Sequence, residues 1–171
     1  MTWYALLLLA IAAERLTELA VARRNASWTL ARAGVEHGRG HYPAMVTLHT
    51  GLLVCCFLEP ALADRPFVPA LGWPMVTLVV LAQALRWWCV MSLGPYWNTR
   101  VIVVPGARLV GTGPYRFLRH PNYVAVVVEI AALPLVHGAW LSALAFTAAN
   151  AWLLAVRIRC ENAALAGAVP A

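Results

Sequence analysis

The sequence predicts an all-α integral membrane bundle of about five transmembrane helices. Of its 171 residues, 62% are hydrophobic and the mean hydropathy is +0.71, whereas roughly 45–50% apolar residues are usual in a soluble domain. The apolar residues fall into blocks of about twenty with few charges, the length of helix that crosses a hydrocarbon core of roughly 30 Å. The composition therefore leaves little room for a soluble domain.

Five apolar blocks are separated by turns, prolines and charged stretches. They cover residues 2–22, 43–62, 71–93, 121–136 and 139–159. His137 and Gly138 alone lie between the last two blocks, so we expect these two to form a C-terminal helical hairpin. The fourth block is short and contains Pro134. This leaves open whether that helix is kinked or fails to cross the membrane by itself.

The charges between the blocks predict the orientation of the chain. The net charge is +6, and all 13 basic residues are arginines. Ten of the 13 lie in the first loop, the third loop and the C-terminal tail: Arg23, Arg24, Arg32, Arg39, Arg100, Arg108, Arg116, Arg119, Arg157 and Arg159. The positive-inside rule makes these parts cytoplasmic and the N-terminus external, in a multi-pass protein of the cell membrane. Because the arginines alternate with apolar blocks, we expect no nucleic-acid partner.

Several charged residues lie within the predicted spans, where charges are costly and usually face protein or water. These are Glu14, Arg15, Glu18, Arg86 and Glu129, and the polar residues His49 and Glu59 lie in the second block. One interpretation is a set of internal ion pairs that fix the packing of the helices. The other is a proton path or a substrate cavity, and the sequence leaves both open.

The sequence contains no recognisable metal or nucleotide motif. His37 and His41 are four residues apart but lack a third ligand nearby, and the four cysteines have no C-x-x-C spacing. Gly111-Thr112-Gly113 lacks the third glycine of a dinucleotide-binding fingerprint. We therefore predict no bound metal and treat the cysteines as small buried hydrophobic residues.

The segment 100–123 has the composition of a binding loop rather than of a plain connector. Residues 101–104 are all valine or isoleucine, which predicts a short extended piece ended by the turn Pro105-Gly106. Gly111 and Gly113 would let the backbone approach a ligand closely. Pro121 is suited to the first turn of the fourth helix. His120 and Tyr123 would then lie beside free backbone amides that can bind an anion.

The end of the fifth helix provides a second group of polar residues. Arg157 and Glu161 are four residues apart, so they project from one helix face. The hairpin returns that face to the end of the bundle that carries His120. We therefore expect a cation, a carboxylate, a histidine and two tyrosines to converge there. A terminal arginine that reaches the membrane surface and pairs with Glu161 is the alternative.

These motifs together resemble the isoprenylcysteine carboxyl methyltransferase family. The resemblance is carried by Gly113-Pro-Tyr115-x-x-x-Arg119-His120-Pro121-x-Tyr123, followed by a hairpin and Arg157-x-x-x-Glu161, and covers about residues 90–165. It implies a membrane enzyme of five helices that uses S-adenosyl-L-methionine as cofactor. It also implies one methyltransferase domain over residues 1–171, with a three-helix part at 1–93 and the cofactor loop and catalytic hairpin at 94–165.

The resemblance also implies roles for individual residues. The cofactor-binding positions would be Ala107, Arg108, Leu109, Val110, Tyr115, His120, Pro121, Asn122, Tyr123 and Glu161. Arg157 would hold the acidic group of the substrate, with Glu161 counted beside it among the catalytic residues. Two features depart from the family pattern, since Ala107 stands where histidine is frequent and Glu161 has fewer acidic neighbours.

Further features resemble a bacterial branch of the family that methylates alkylpyrones. They are Glu14-Arg15-x-x-Glu18-Leu19, Arg24-Asn25, Glu36-x-Gly38, Gly40-His41-Tyr42-Pro43, His49 and Trp97-Asn98-Thr99-Arg100. The expected reaction is O-methylation of a carboxylate or an acidic hydroxyl on a lipophilic small molecule or a lipidated acceptor, in contact with membrane lipids. The alternatives are a phospholipid N-methyltransferase and a non-catalytic membrane subunit or small transporter.

Overall fold

The computed structural model describes residues 1–107 and 109–168. Within them the chain forms five α-helices: α1 (Thr2–Leu30), α2 (Tyr42–Leu62), α3 (Pro69–Leu93), α4 (Pro121–Leu135) and α5 (Trp140–Ala168). A short antiparallel pair of strands, β1 (Val35–His37) and β2 (Val101–Val103), joins the first and third loops. The all-α class and the C-terminal hairpin were thus predicted from the sequence.

Three of the helices are long and apolar enough to cross a membrane, over Arg39–Leu62, Pro69–Tyr96 and Trp140–Gly167. The fourth, Pro121–Leu135, is apolar but shorter. α1 has the length, but Glu14, Arg15 and Glu18 lie in its middle. Length and composition therefore support three spans, and the expected number of about five remains a prediction.

α1 continues eight residues beyond the predicted end of the first block, to Leu30. No proline or glycine interrupts residues 22–30, so the helix carries Arg23 and Arg24 beyond the apolar part. The amide of Asn25 donates hydrogen bonds to the carbonyl oxygens of Gly94 (3.1 Å) and Trp97 (2.8 Å). These bonds fix the end of α1 to the turn that follows α3.

The two strands bring the first and third loops to the same end of the bundle. Val35 is paired with Val103, Glu36 with Ile102 and His37 with Val101. The extended piece at 101–103 was predicted, but its partner was not. Three residues in a glycine-containing loop are too few for an alternating pattern to be visible.

The apolar core lies in the opposite half of the bundle. Leu52, Val79, Ile130 and Leu133 are almost fully buried there, and they come from α2, α3 and α4. The hydroxyl of Tyr4 on α1 donates a hydrogen bond to the carbonyl oxygen of Leu133 at 3.0 Å. α4 packs against both α3 and α5. The short α4 is therefore enclosed by longer helices.

Between the core and the loop end lies an ionic layer, which consists of Glu14, Arg15, Glu18, Arg86 and Glu129. Arg15 pairs with Glu18 at 2.6 Å and with Glu129 at 3.2 Å. Arg86 pairs with Glu129 and lies 3.4 Å from Glu18. The layer therefore joins α1, α3 and α4 by ion pairs, as the packing interpretation predicted. Its other possible role depends on the cavities described below.

Candidate functional site

The site begins at the first turn of α4. Pro121 starts the helix, and the ring of His120 stacks on that of Tyr123 with centroids 5.2 Å apart. His120 Nε2 lies 3.2 Å from Oδ1 of Asn162 on α5, and its Nδ1 lies 3.8 Å from Glu161. The start of α4 is thereby fixed against the end of α5.

A chain of polar contacts runs along the end of α5. Arg157 is only 8% exposed, and its Nε donates a hydrogen bond to the hydroxyl of Tyr123 at 2.9 Å. That hydroxyl in turn donates to a carboxylate oxygen of Glu161. Arg157 also contacts the sulfur of Met45 through Nη1 at 2.7 Å. The predicted convergence is observed, and Tyr123 bridges the arginine and the glutamate, which do not pair directly in the described structure.

A polar cavity of about 540 Å³ opens beside these residues. Nine of the residues predicted for the site line it: Ala107, Leu109, Val110, Tyr115, His120, Asn122, Tyr123, Arg157 and Glu161. Pro121 is buried at the helix start instead. Arg108, which was also predicted, lies outside the described residues. Sequence reasoning thus found nine of the 21 described residues that line this cavity.

Other parts of the wall were missed. All three residues of strand β2 line the cavity, and Trp97, Asn98 and Asn162 line it as well. The sequence signal for Asn162 was its position directly after Glu161 on a helix whose end was expected at the site. Strand β2 was predicted as an extended piece, but its position beside the cavity depends on its pairing with β1.

Gly113 and Tyr115 belong to the short turn that precedes α4. A side chain at Gly113 would lie 2.1 Å from Oγ of Ser92, and the φ angle is 57°. The absence of a side chain at Gly113 is therefore required by α3, and the expectation that Gly111 and Gly113 allow close approach to a ligand stays a prediction. Burial raises the pKa of the Tyr115 phenol. The phenol therefore stays neutral and can donate a hydrogen bond.

A second space, the apolar groove, has a volume of about 370 Å³ and lies among α1, α2, α4 and α5. Leucine, valine and alanine side chains form much of its wall. Leu16 and Val54 line it and are also 68% and 51% exposed. The groove therefore opens sideways between helices. Arg15, Glu18 and Arg86 of the ionic layer line its inner wall.

The polar cavity and the apolar groove meet at a junction. Five residues line both spaces: Trp97, Asn98, Asn122, Tyr123 and Arg157. Oδ1 of Asn122 and Nε1 of Trp97 are buried there and have no hydrogen-bond partner within the described structure. Buried polar atoms are nearly always paired in native proteins, so unpaired ones at a junction of cavities point to a ligand. Two ligands could meet at Arg157 from opposite sides.

Comparison with known proteins gives the family. Residues 75–167, which cover α3 to α5, match the profile of the isoprenylcysteine carboxyl methyltransferase (ICMT) family. The chain belongs to this family. ICMT-family proteins are methyltransferases that use S-adenosylmethionine, and the three apolar helices fit their membrane location. The resemblance found in the sequence motifs is thus confirmed at the level of the family.

Two relatives match along nearly the whole chain. The uncharacterized protein YpbQ of Bacillus subtilis is 39% identical over 161 residues, which are 94% of this chain and 95% of the relative. An uncharacterized protein of Haemophilus influenzae is 22% identical over 163 residues, 94% of this chain and 93% of the relative. The similarity therefore includes α1 and α2, which lie before the region that matches the family profile.

Proposed function

We propose that this ICMT-family protein is an S-adenosylmethionine-dependent O-methyltransferase whose acceptor is a lipophilic molecule with a carboxylate or an acidic hydroxyl. The observation that carries the proposal is the junction. A polar cavity and an apolar groove share Arg157, Tyr123 and Asn122. A transferase that joins a water-soluble donor to a lipid acceptor requires two such spaces in contact.

The polar cavity has the size and chemistry for the cofactor. Its volume falls within the roughly 300–1,000 Å³ that is usual for cofactor sites. Glu161 offers a carboxylate to the cofactor's ammonium or hydroxyl groups, and Tyr115 offers a neutral phenol. The backbone at Leu109 and Val110 and the segment from His120 to Tyr123 would complete the site. Because Ala107 has no polar side chain, its part of the site would rely on backbone contacts.

The charge at the junction favours an anionic acceptor group. Arg157 is buried, and the N–H groups of its guanidinium are suited to hold the oxygens of an anionic group. A phospholipid amine would instead need a carboxylate at this position. Glu161, the nearest carboxylate in the contact chain, already accepts the hydrogen of Tyr123. This arrangement supports O-methylation over N-methylation.

The groove suits a lipid tail that arrives from the bilayer. Its outer rim includes Leu16 and Val54, which are exposed on the surface of helices that the hydrocarbon would contact. The acceptor would therefore slide between α1 and α2 while its acidic head reaches Arg157. The arginine-rich loops lie at the same end of the bundle, so the proposal places the polar cavity on the cytoplasmic side.

The residues at the junction would contribute to transfer by position and charge. When bound, S-adenosylmethionine supplies an electrophilic methyl group on sulfur. Arg157 holds the acceptor oxygen, and Tyr123 fixes the guanidinium through its hydrogen bond at 2.9 Å. Glu161 orients Tyr123 from the other side. Such alignment of two reactants accounts for much of the rate in displacement reactions, provided that water is excluded.

Among acceptors of this class, an acidic enol is the more specific proposal. The sequence features that resemble the alkylpyrone branch include Glu14-Arg15-x-x-Glu18, His49 and Trp97-Asn98. All of these except Glu14 line the groove. Several of the residues that carry the resemblance thus lie where an acceptor would contact them, whereas others, such as Arg24, Asn25 and Glu36, do not line the groove.

The proposal is tested in two steps with purified protein in detergent. Calorimetric titration with S-adenosylmethionine should show saturable binding to one site, and absence of binding would contradict the proposal. Labelled methyl transfer is then measured to a total lipid extract, to long-chain alkylpyrones and to prenylcysteine analogues, with mass identification of the product. A methyl ester or enol ether is expected, whereas an N-methylated phospholipid would show that the reaction type is wrong.

A further inference from the structure

His49 on α2 presents an acceptor nitrogen to the apolar groove. Its Nδ1 lies 2.8 Å from the carbonyl oxygen of Met45, one turn earlier on the same helix. A carbonyl oxygen can only accept, so Nδ1 carries the hydrogen. In the neutral ring Nε2 is then a lone-pair acceptor. It has no protein donor among the described residues, and the ring lines the groove.

Asn150 on α5 is the second unpaired polar group of the groove. It is 4% exposed and lines the groove, and none of the side-chain hydrogen bonds within residues 1–107 and 109–168 involves its amide, whose atoms are not fully enclosed by protein. A buried amide without a partner costs about 1–3 kcal/mol. The neighbouring wall residues Leu153 and Leu154 are apolar. Leucine would pack better at this position, so packing does not explain why residue 150 is polar.

Two contacts place His49 and Asn150 at the same level of the bundle. α2 and α5 run antiparallel, and Met45 on α2 contacts Arg157 on α5. Further along α2, Gly51 lies against the ring of Phe146. His49 lies between Met45 and Gly51 on α2. The part of α5 beside it therefore lies between Phe146 and Arg157, close to Asn150. The two unpaired groups thus line the groove at one depth.

His49 and Asn150 lie deeper in the groove than Arg157, which would hold the reacting oxygen. Asn150 precedes Arg157 by seven residues, and His49 follows Met45 by four, so the pair lies roughly 6–10 Å deeper along the helices. Such a distance is too long for either side chain to reach an oxygen held by Arg157. We propose that His49 and Asn150 form a second polar subsite, which binds a hydroxyl group within the tail of the lipid acceptor.

A hydroxyl is the group that satisfies both side chains. It can donate its hydrogen to Nε2 of His49 and accept one from the amide of Asn150. A carbonyl could accept from Asn150 but would leave the lone pair of neutral His49 unpaired. The charged residues of the ionic layer at the groove wall, Arg15, Glu18 and Arg86, form ion pairs with one another or with Glu129. The unpaired atoms of Trp97 and Asn122 lie at the junction with the polar cavity instead. The inference rests on the proposed function and narrows its acceptor to lipids with two separated polar groups.

The test compares two probe lipids in binding rather than in methyl transfer. Hexadecanoic acid and hexadecanoic acids hydroxylated near mid-chain are titrated calorimetrically into the purified protein. We expect the acid with the best-placed hydroxyl to bind roughly tenfold more tightly than the parent acid, since that hydroxyl pairs with the buried amide of Asn150 and the half-buried ring of His49. The Asn150→Leu and His49→Leu variants should each lose most of this preference. Leu154→Ile, which alters the same wall without a polar group, should keep it.

The different partition of the two probes into detergent affects every variant equally, so it cancels when the ratio of the two affinities is compared between variants. The melting temperature of the lipid-free protein gives a second readout. Asn150→Leu should raise it, because an unpaired buried amide is removed. A lower melting temperature with an unchanged preference for the hydroxyl would show that Asn150 is structural and would overturn the subsite.

Failure of the subsite and failure of the proposed function are distinguishable. Both probes could bind the wild-type protein equally and both lose binding in Arg157→Ala. This outcome would support the acceptor site and refute the hydroxyl subsite. Absence of binding of either probe, or binding that Arg157→Ala does not weaken, would contradict the acceptor site itself, and the subsite would fall with it.

Discussion

The two ends of the helix bundle differ in the hydrogen-bond partners of their polar side chains. At the end that carries the N-terminus of α1, Trp3, Phe67, Trp73 and His137 pack ring against ring. The carboxylate of Glu59 there accepts hydrogen bonds from the backbone amides of residues 141 and 142 and from the Ser142 hydroxyl. Glu59 thus caps the start of α5.

At the loop end, polar atoms are left without protein partners. Oδ1 of Asn122 and Nε1 of Trp97 are both buried and unpaired in the described structure, and both residues lie where the polar cavity meets the apolar groove. At the far end Glu59 is fully paired and Nδ1 of His137 is the buried side-chain atom left without a partner in the described structure, whereas the unpaired atoms of the loop end lie where two cavities meet. The difference between the two ends is therefore one of position: unpaired polar atoms indicate a ligand site where they line a cavity.

The largest effect is expected in the ionic layer between the two ends. Arg86→Met would leave Glu14, Glu18 and Glu129 with Arg15 as the one remaining cation of the layer. Breaking a buried ion pair in this way typically costs about 3–5 kcal/mol. Unfolding in mixed SDS micelles should show a loss of this size, whereas Arg65→Met at the exposed far end should change little. Equal stability of both variants would mean that the layer does not hold the helices together.

A loss of activity without a loss of cofactor binding is expected at the junction. Arg157→Ala should lower methyl transfer by at least about 100-fold, the usual cost of removing a group that holds developing or fixed negative charge. Calorimetry should show nearly unchanged binding of S-adenosylmethionine. Arg159→Ala is the matched control, because Arg159 is exposed two residues later on the same helix. Methyl transfer that survives Arg157→Ala would remove the proposed substrate role.

The polar cavity can be weakened separately from the groove. Glu161→Gln should reduce the affinity for S-adenosylmethionine by about tenfold or more, since a hydrogen bond to a charged group is worth about 1.5–3 kcal/mol. Binding of the acceptor should change less. Asp64→Asn makes the same chemical change at an exposed position of the far end and should leave the affinity intact. A larger effect on the acceptor than on the cofactor would reverse the assignment of the two spaces.

The smallest effect is expected at the far end. Glu59→Ala removes the cap of α5 and should lower the stability by about 1 kcal/mol, as the loss of a helix cap usually does. The activity of the folded protein should not change, because Glu59 and the site lie at opposite ends. Leu62→Ala, an exposed change at the end of the same helix, should have no comparable effect on the melting temperature.

The sequence predicted the site where spacing along a single helix was enough. Arg157 and Glu161 were expected on one face, and the two-residue turn at His137 and Gly138 was expected to bring that face to His120. Both features depend on local rules, namely helix periodicity and turn length. The profile of the ICMT family, together with the motif around His120, then identified the reaction class.

The sequence could not predict contacts between distant segments. The sequence did not show that the absence of a side chain at Gly113 is required by Ser92 on α3. Strand β1 was missed because its three residues gain their pairing from β2, more than sixty residues away. The role of Tyr123 as a bridge between Arg157 and Glu161 was also invisible, since it depends on how α4 and α5 pack.

The sequence by itself thus determined the all-α class, the apolar blocks, the arginine-rich loops and part of the wall of the polar cavity. These follow from hydropathy, periodicity and short motifs, which are local properties of the chain. Only the tertiary structure decided that the polar cavity and the apolar groove share Arg157, that the ionic layer is paired, and that His49 and Asn150 face the groove unpaired. Those features are relations between helices, and the packing that creates them is set by the whole bundle.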